Sequence, residues 1–297
     1  MEPLLRAAID ELRADSISGA SELLPRAIGI LRLGLERPFE ELVEAARDVG
    51  RAQPSMAPLW NAALAALAER RSPGALGRFD QRRRRAGRAM VRVALDELLL
   101  GGQAARHVVT ISFSGSVLAC LRAIGAVAPL RVSCAEGRPG LEGRRLAAKM
   151  AGAGIAVEFY GDAALGGALG RGAAGETVVL VGADAVTPAW ALNKSGTTML
   201  AAAAGRAGVP VYVAATRDKF ADRRVAALLE VAERDGREIW DAPPPGVAVR
   251  NAVFERVPAD LVSGVITDAG VLPPGMLEEA CRAASADVEG DDVEALL

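Results

Sequence analysis

Apolar residues recur at helical spacing through the first hundred residues of the chain. Five segments carry this pattern: LLRAAIDELRAD, ASELLPRAIGILRLGLE, FEELVEAARDVGRA, MAPLWNAALAALAERR and RAGRAMVRVALDELLL. Spacings of three and four residues place the apolar side chains on one face of a helix. Breaks rich in Ser, Pro and Gly separate the segments, and Gly101-Gly102 follows the last one as a stop signal. The pattern predicts a helical N-terminal domain over residues 1–102.

The pattern changes after residue 102. Short apolar runs rich in β-branched residues now follow one another: HVVTISF, LRVSCAE, IAVEFYG, TVVLVGA and VPVYVAA. Each run is followed by a Gly, Ser or Asp turn and then by an Ala- and Leu-rich helical stretch. Continuous apolar strands that alternate with helices are typical of a parallel sheet covered on both faces. We therefore predict an α/β fold with a parallel-sheet domain over residues 103–297.

Composition excludes several classes of function. The 297 residues are 51% hydrophobic and 24% charged, which is ordinary for a folded protein, and the net charge of −2 gives no reason to expect nucleic acid or a membrane surface as partner. The N-terminus lacks a signal peptide pattern, and no apolar run reaches membrane-spanning length. A cytoplasmic location is therefore expected. Three scattered cysteines and a single histidine, His107, predict neither a disulfide framework nor a zinc site.

Basic residues are divided unevenly between Arg and Lys. Lysine occurs only at Lys149, Lys194 and Lys219, although Lys and Arg together number 35. Because the chain uses Arg wherever either base would serve, a retained Lys indicates a position that needs a compact ammonium group. The run Arg82–Arg85 is interpreted as a solvated stretch that leads into a long helix, since the overall charge is acidic.

Four loops are the places where a ligand is expected. In an open parallel sheet, ligands bind beyond the carboxyl ends of the strands, where loops enter helices. The candidate phosphate-binding residues in these loops are Ser114, Gly115, Ser116, Arg138, Asn193, Lys194, Gly196, Thr197 and Lys219. They offer N–H groups at a helix start, hydroxyls, a planar guanidinium and ammonium charges. Asp184 would repel a phosphate, so we expect it to face a sugar hydroxyl as a base, an acid or an acceptor.

Each feature also has a purely structural interpretation. Serines at strand ends commonly cap helices, Arg138 before Pro139 suits a surface turn, Asp184 could cap a helix, and Lys194 could be solvated. Convergence of four loops on one sheet edge favours a ligand site. GxGxxG after the first strand and GxxxxGK[ST] are both missing, so dinucleotide and P-loop sites are disfavoured, and neither a cofactor nor a metal is expected.

The motifs together resemble the initiation factor 2B alpha/beta/delta family, which also contains methylthioribose-1-phosphate isomerase and ribose-1,5-bisphosphate isomerase. They are TISFSGSVL, the E-x-R-P-x-x-E-G of Glu136 to Gly143, VGAD followed by NK-x-GT, VPVYVAATRDKF and VPADLVSGVITDAGVLPP. The resemblance covers essentially the whole α/β domain. It implies a Rossmann-like C-terminal domain, a pocket for a phosphorylated sugar, and a homodimer formed through the C-terminal domain.

The resemblance also implies two catalytic positions. In the isomerases, an aspartate of the GAD motif and a cysteine at the end of the first strand carry the aldose–ketose conversion. The aspartate corresponds to Asp184, whereas Ser112 occupies the position of the cysteine. A hydroxyl needs a nearby base where a thiol does not, and the sequence offers no histidine for that purpose.

Three hypotheses follow. The leading one is a homodimeric protein of this family that binds a phosphorylated sugar or nucleotide and acts as a ligand-responsive regulatory or translation-related module. The alternative is an aldose–ketose isomerase for ribose-1,5-bisphosphate or methylthioribose-1-phosphate, in which Asp184 moves the proton and Ser112 assists as a hydrogen-bond donor. The third is a translation factor that only binds proteins and does not use the pocket.

Overall fold

The N-terminal part of the chain is helical. The computed structural model describes residues 2–15, 17–100, 104–172, 175–231 and 233–297. Its first helices are α1 (Pro3–Ala14), α2 (Ala20–Gly34), α3 (Phe39–Ala52), α4 (Ala57–Leu67) and α5 (Ala75–Leu95). Each of the helices predicted from the apolar spacing is confirmed. The predicted domain boundary at residue 102 lies outside the described residues and stays a prediction.

Helix α5 begins at Ala75, earlier than its apolar pattern indicates, so the interpretation of Arg82–Arg85 as a stretch leading into a helix is wrong. These arginines lie inside the helix. Arg83 and Arg84 pair with Asp80 one turn earlier, at 2.6 and 3.0 Å, and such pairs stabilise a helix. Burial opposes ionisation of Asp80, but the hydrogen bonds from the two guanidinium groups lower its pKa to about 2.

A seven-stranded sheet forms the centre of the remaining chain. Its strands, in chain order, are β1 (His107–Thr110), β2 (Arg131–Ala135), β3 (Ala156–Tyr160), β4 (Thr177–Gly182), β7 (Val211–Ala214), β9 (Gly264–Ile266) and β10 (Val271–Leu272). The spatial order is β10-β9-β7-β4-β1-β2-β3, and the pairs are parallel except that β10 is antiparallel to β9. The predicted strands and the α/β fold are confirmed. The order runs outward in both directions from β1 and β4, so the crevice for a ligand is expected beyond these two strands.

Helices cover both faces of this sheet. They are α6 (Gly115–Val127), α7 (Glu142–Ala151), α8 (Thr197–Arg206) and α10 (Leu277–Ala284). Two further helices, α9 (Arg223–Ala226) and α11 (Gly290–Leu296), pack against the helical part instead. Alternate strand residues face opposite ways. Val108 and Val178 accordingly share a core with residues of α5, α6 and α7, whereas Val109 and Val179 share one with residues of α8 and α10. Helix α5 thus joins the helical part to the sheet.

A second, small sheet was not predicted from the sequence. It contains β5 (Ala185–Val186), β6 (Trp190–Lys194) and β8 (Phe254–Pro258), and all its pairs are antiparallel. Lys194 therefore ends a strand, with Phe254 opposite, and α8 starts only after it at Thr197. The hairpin β5–β6 turns the chain back after β4, so that Lys194 and Asp184 reach the same edge of the main sheet.

The end of the chain returns to the N-terminal helices. Val293 and Leu296 of α11 belong to the core of the helical part. Arg47 donates a hydrogen bond to the carbonyl of Ala295 (2.6 Å), and Arg71 forms a two-point ion pair with Asp292. None of the helices in the described ranges is long and apolar enough to cross a membrane.

Candidate functional site

A cavity of about 670 Å³ opens at the carboxyl edge of the main sheet, between the helical part and the sheet. Predicted site residues that line it are Ser112, Ser114, Gly115, Asp184, Asn193, Lys194 and Lys219. The opposite wall comes from residues 17–22 together with Gln53 and Met56, and Arg234, Glu238, Val253 and Phe254 complete it. The volume is in the range of small-ligand sites. The structure therefore brings residues of all four predicted loops to one cavity.

The β1–α6 connection presents a helix start to the cavity. Ser114 is the N-cap of α6, and its hydroxyl accepts a 3.4 Å hydrogen bond from the N–H of Val117. The first N–H groups of a helix lack intrahelical acceptors and carry the positive end of its dipole. Gly182 allows this approach, because a Cβ there would lie 2.6 Å from the Cβ of Ser114. Ser114 is thus both a helix cap and a cavity residue.

Glu142, the first residue of α7, ties two predicted site residues together. Its Oε1 accepts a hydrogen bond from the Oγ of Ser112 (2.9 Å) and forms an ion pair with the Nζ of Lys194 (2.7 Å). Lys194 is only 3% exposed. A phosphate at Lys194 would therefore have to share the ammonium with Glu142. Glu142 belongs to the E-x-R-P-x-x-E-G motif, but sequence reasoning assigned it no role, because nothing along the chain shows that it contacts Ser112.

Asp184 lies between β4 and β5 with its backbone held from two sides. Its N–H donates to the carbonyl of Leu192 (2.8 Å), and its carbonyl accepts from the N–H of Ala57 (3.0 Å). Its carboxyl group accepts no hydrogen bond from any described residue. Removal from bulk water raises the pKa of Asp184, while the positive charge of Lys219 acts in the opposite direction. Asp184 consequently holds a proton more readily than an ordinary aspartate.

Lys219 is a buried cation whose charge acts on Asp184. It ends a short 3₁₀ turn after β7 and is 4% exposed. Across the described ranges, its ammonium makes neither a hydrogen bond nor an ion pair. A buried charge without an ion pair costs free energy, so this group suits an anionic ligand.

Lys149, the third lysine, lines the same cavity and is exposed. Sequence reasoning did not name Lys149 as a site residue, although the scarcity of lysine was a signal that could have identified it.

The other predicted site residues do not line the cavity: Ser116, Arg138, Gly196 and Thr197. Arg138 is exposed, and its guanidinium forms an ion pair with Glu136 at 3.7 Å. The hydroxyl of Thr197 donates to the carbonyl of Lys194 (2.6 Å) and accepts from the side chain of Asn193 (3.0 Å). Gly196 caps α8 with a φ of 100°. These contacts organise the turn that follows Lys194.

Arg145 of α7 is a cavity residue that sequence reasoning missed, because no pattern along the chain marks it. Its guanidinium stacks on the ring of Phe113 at 4.5 Å and donates to the carbonyl of Ile17 at 3.0 Å. It also reaches Glu22 of α2 at 3.4 Å. Arg145 therefore connects the sheet side of the cavity to the helical side.

The cysteines and the histidine take no part in the site. The cysteines are free and buried, and burial raises the pKa of the Cys120 thiol to about 12 and that of Cys134 to about 11. His107 is buried among strands, and burial, with the charge of Arg131, lowers its pKa to about 4. Its ring nitrogens form hydrogen bonds with the hydroxyls of Thr177 (3.2 Å) and Ser133 (2.8 Å), so the role of His107 is structural. Within the described residues, no group of three His, Cys, Asp or Glu side chains is placed to hold a metal ion.

The fold and the cavity agree with the family indicated by the motifs: the chain belongs to the Initiation factor 2 subunit family, which matches residues 40–274. A Pyrococcus furiosus protein provisionally named translation initiation factor eIF-2B subunit 2-like is 31% identical over 276 residues, 90% of this chain and 95% of that protein. Ribose 1,5-bisphosphate isomerase of Archaeoglobus fulgidus is 37% identical over 153 residues, which are 50% of this chain and 47% of that enzyme.

A solved structure has the same fold. The structure of translation initiation factor eIF-2B from Pyrococcus horikoshii OT3 is similar with a TM-score of 0.76 and 26% sequence identity, and the match covers 92% of this chain and 98% of that one. The resemblance stated from the motifs is therefore confirmed at the level of family and fold. The chain spans about half the length of the isomerase that it matches.

Proposed function

We propose that this chain binds a phosphorylated sugar or nucleotide in the cavity at the carboxyl edge of the main sheet. Lys219 is the observation that carries the proposal, because its buried ammonium makes neither a hydrogen bond nor an ion pair with any described residue. The start of α6 lines the same cavity and offers N–H groups to a phosphate. Asp184 supplies an acceptor for sugar hydroxyls, since its carboxyl group is also without a donor in the described chain.

A ligand in this cavity would contact both parts of the protein. Residues 17–22 of the helical part and the loops of the sheet part face each other across it, and Arg145 already bridges them. Binding would therefore favour one arrangement of the two parts over others. This supports a ligand-responsive module, as does the similarity over 90% of the chain to a protein named after a translation initiation factor subunit. Dimerisation through the C-terminal domain and a cytoplasmic location remain predictions.

Thermal unfolding tests the binding proposal. Pentose phosphates, hexose phosphates and nucleoside monophosphates are added in turn, each with its dephosphorylated counterpart as control. A ligand at a hundredfold excess over its dissociation constant stabilises the protein by about 2.7 kcal/mol. We expect stabilisation by at least one phosphorylated compound and little by its counterpart. Failure of every compound to raise the melting temperature would contradict the proposal.

An aldose–ketose isomerase is the second candidate, and one observation favours it. Asp184, with its raised pKa, shares the cavity with the hydrogen-bonded pair of Ser112 and Glu142. Turnover of ribose-1,5-bisphosphate or methylthioribose-1-phosphate to the ketose is the measurement. We expect Asp184→Asn to abolish product while ligand still stabilises the variant. A wild-type protein that binds both compounds and converts neither would leave the binding role alone.

A further inference from the structure

Glu142 lines the cavity, but binding of a phosphorylated sugar gives its carboxylate no role. Its side chain is 18% exposed, and both contacts described above are made by Oε1. Its Oε2 accepts no hydrogen bond from any described residue, and it lies where a Cβ on Gly140 would be only 2.8 Å away. One oxygen of Glu142 is therefore held by Ser112 and Lys194, and the other, beside Gly140, has no hydrogen-bond partner in the described chain.

Ser112 and Lys194 hold Glu142 in place from two different elements. Ser112 adopts a left-handed backbone conformation (φ 68°) just after β1, whereas Lys194 ends β6. The hydroxyl of Ser112 has one O–H group, and it already donates this hydrogen bond to Glu142, so it cannot donate one to a substrate. Ser112 is thus a positioning residue for Glu142, and a donor to the sugar must come from elsewhere.

The reaction considered above needs two groups that move protons. When a cyclic aldose 1-phosphate becomes a ketose 1-phosphate, the ring oxygen gains a proton as its bond to C1 breaks. C2 then loses a proton as a double bond forms between C1 and C2. Finally C1 gains a proton while the hydroxyl on C2 loses one and becomes a carbonyl. The sum is an isomerisation without an oxidant, a reductant or a net proton.

We propose that Glu142 and Asp184 divide these transfers as the acid–base pair of the cavity, an inference that rests on the proposed binding of a phosphorylated sugar. Glu142, held beside Lys194, takes the proton from C2 and returns it at C1. Asp184, protonated at the start, donates to the ring oxygen and then recovers a proton from the hydroxyl on C2. Two carboxyl groups in contrasting environments commonly divide acid and base roles in this way.

The contrast between the two environments supports the assignment. Asp184 receives no hydrogen bond in the described chain and has a raised pKa, mainly because it is removed from bulk water. Glu142 instead accepts a hydrogen bond from the hydroxyl of Ser112, and the ammonium group of Lys194 lies 2.7 Å away. The first arrangement suits a proton donor and the second suits an ionised base.

Glu142→Gln is the test. Glutamine keeps the length of the side chain and an acceptor oxygen for Ser112, but it cannot take the proton from carbon. We expect turnover number to fall by about 10² to 10⁴, the usual contribution of an acid–base group. Ligand binding should be retained or become tighter, because Lys194 loses its counterion and is free to attract phosphate. A merely structural role for Glu142 would weaken binding and turnover together.

Two further variants control for folding and for charge. Glu136→Gln removes a carboxylate from the same loop outside the cavity and should turn over as wild type does. Glu142→Gln combined with Lys194→Met removes both members of the buried ion pair, so no charge is left unpaired. The double variant should fold and lose at least as much of the turnover number as Glu142→Gln, and it should bind the phosphorylated ligand more weakly, because Lys194 is a candidate phosphate-binding residue.

The outcomes separate the inference from the binding proposal. Turnover of Glu142→Gln within tenfold of wild type overturns the role of Glu142. A wild-type protein that binds phosphorylated sugars but forms no ketose from either tested compound also overturns it, while binding stands. A protein that binds none of them refutes the proposed function itself.

Discussion

Replacing Lys219 by Met separates the ligand contribution of this lysine from its contribution to folding. Methionine keeps most of the buried stem and removes the ammonium. In the free protein, the change removes a charge that is 4% exposed and that forms no hydrogen bond or ion pair in the described chain. Because a buried unpaired charge destabilises the folded state, we expect the free variant to be as stable as wild type or more stable. The loss of this charge also raises the pKa of Asp184 further, since Lys219 acts to lower it.

The effect on the liganded protein has the opposite sign. Loss of a hydrogen bond to a charged group costs about 1.5–3 kcal/mol, which weakens binding by roughly 10- to 160-fold. At a ligand concentration a hundredfold above the wild-type dissociation constant, stabilisation is about 2.7 kcal/mol. For the variant at that concentration, the same relation predicts only about 0.3–1.3 kcal/mol. A change of this size is well resolved in a thermal melt.

The measurements are thermal melts and calorimetric titration with the phosphorylated compound that stabilises the wild-type protein most. Arg206→Met, which removes an exposed cation at the end of α8, is the matched control and should leave ligand stabilisation unchanged. The reasoning is refuted if Lys219→Met binds the phosphorylated ligand as tightly as wild type. It is also refuted if the free variant is markedly less stable, because Lys219 would then have a structural partner.

Two more predictions concern the fold. Gly50→Ala should destabilise the protein by about 1–3 kcal/mol or more in urea unfolding, because a Cβ at Gly50 would lie 2.2 Å from a ring atom of Trp60. Gly87→Ala should instead stabilise the protein by about 0.5–1 kcal/mol, because Gly87 lies inside α5 and a Cβ there would meet nothing within 4 Å. Equal effects of the two substitutions would show that the α3–α4 contact is not tight. Unfolded His107 takes up its proton near pH 6.5 and folded His107 near pH 4, so its contribution to stability, present above pH 6.5, falls by about 3 kcal/mol on acidification to pH 4. The stability difference between wild type and His107→Gln should shrink by that amount between pH 7 and pH 4, and a constant difference would contradict the low pKa.

The helices, the main strands and the ligand edge were predictable because they depend on local pattern. Side chains three and four residues apart share a helix face whatever the rest of the chain does, and apolar runs such as TVVLVGA can only be buried strands when they alternate with helices. Parallel strands then place their carboxyl ends at one edge. Ser112, Asp184 and Lys219 could therefore be assigned to one site without coordinates.

The small sheet could not be predicted in the same way. Strand β5 has only two residues, too few to show a period, and the pairing of Lys194 with Phe254 joins residues far apart in sequence. The early start of α5 was hidden for a related reason. The stretch around Arg82–Arg85 is polar, and its helix depends on the carboxylate of Asp80 and on packing against other helices.

The sequence by itself therefore determined the family, the α/β fold and the edge at which a ligand would bind, because each depends on periodicity or on a linear motif. Only the tertiary structure decided which charges are free. In the structure, Lys194 forms an ion pair with Glu142, and the hydroxyl of Ser112 donates a hydrogen bond to Glu142. Lys219 forms neither an ion pair nor a hydrogen bond in the described chain. Whether a charge is available to a ligand depends on what lies within about 4 Å of it, and no periodicity along the chain records that distance.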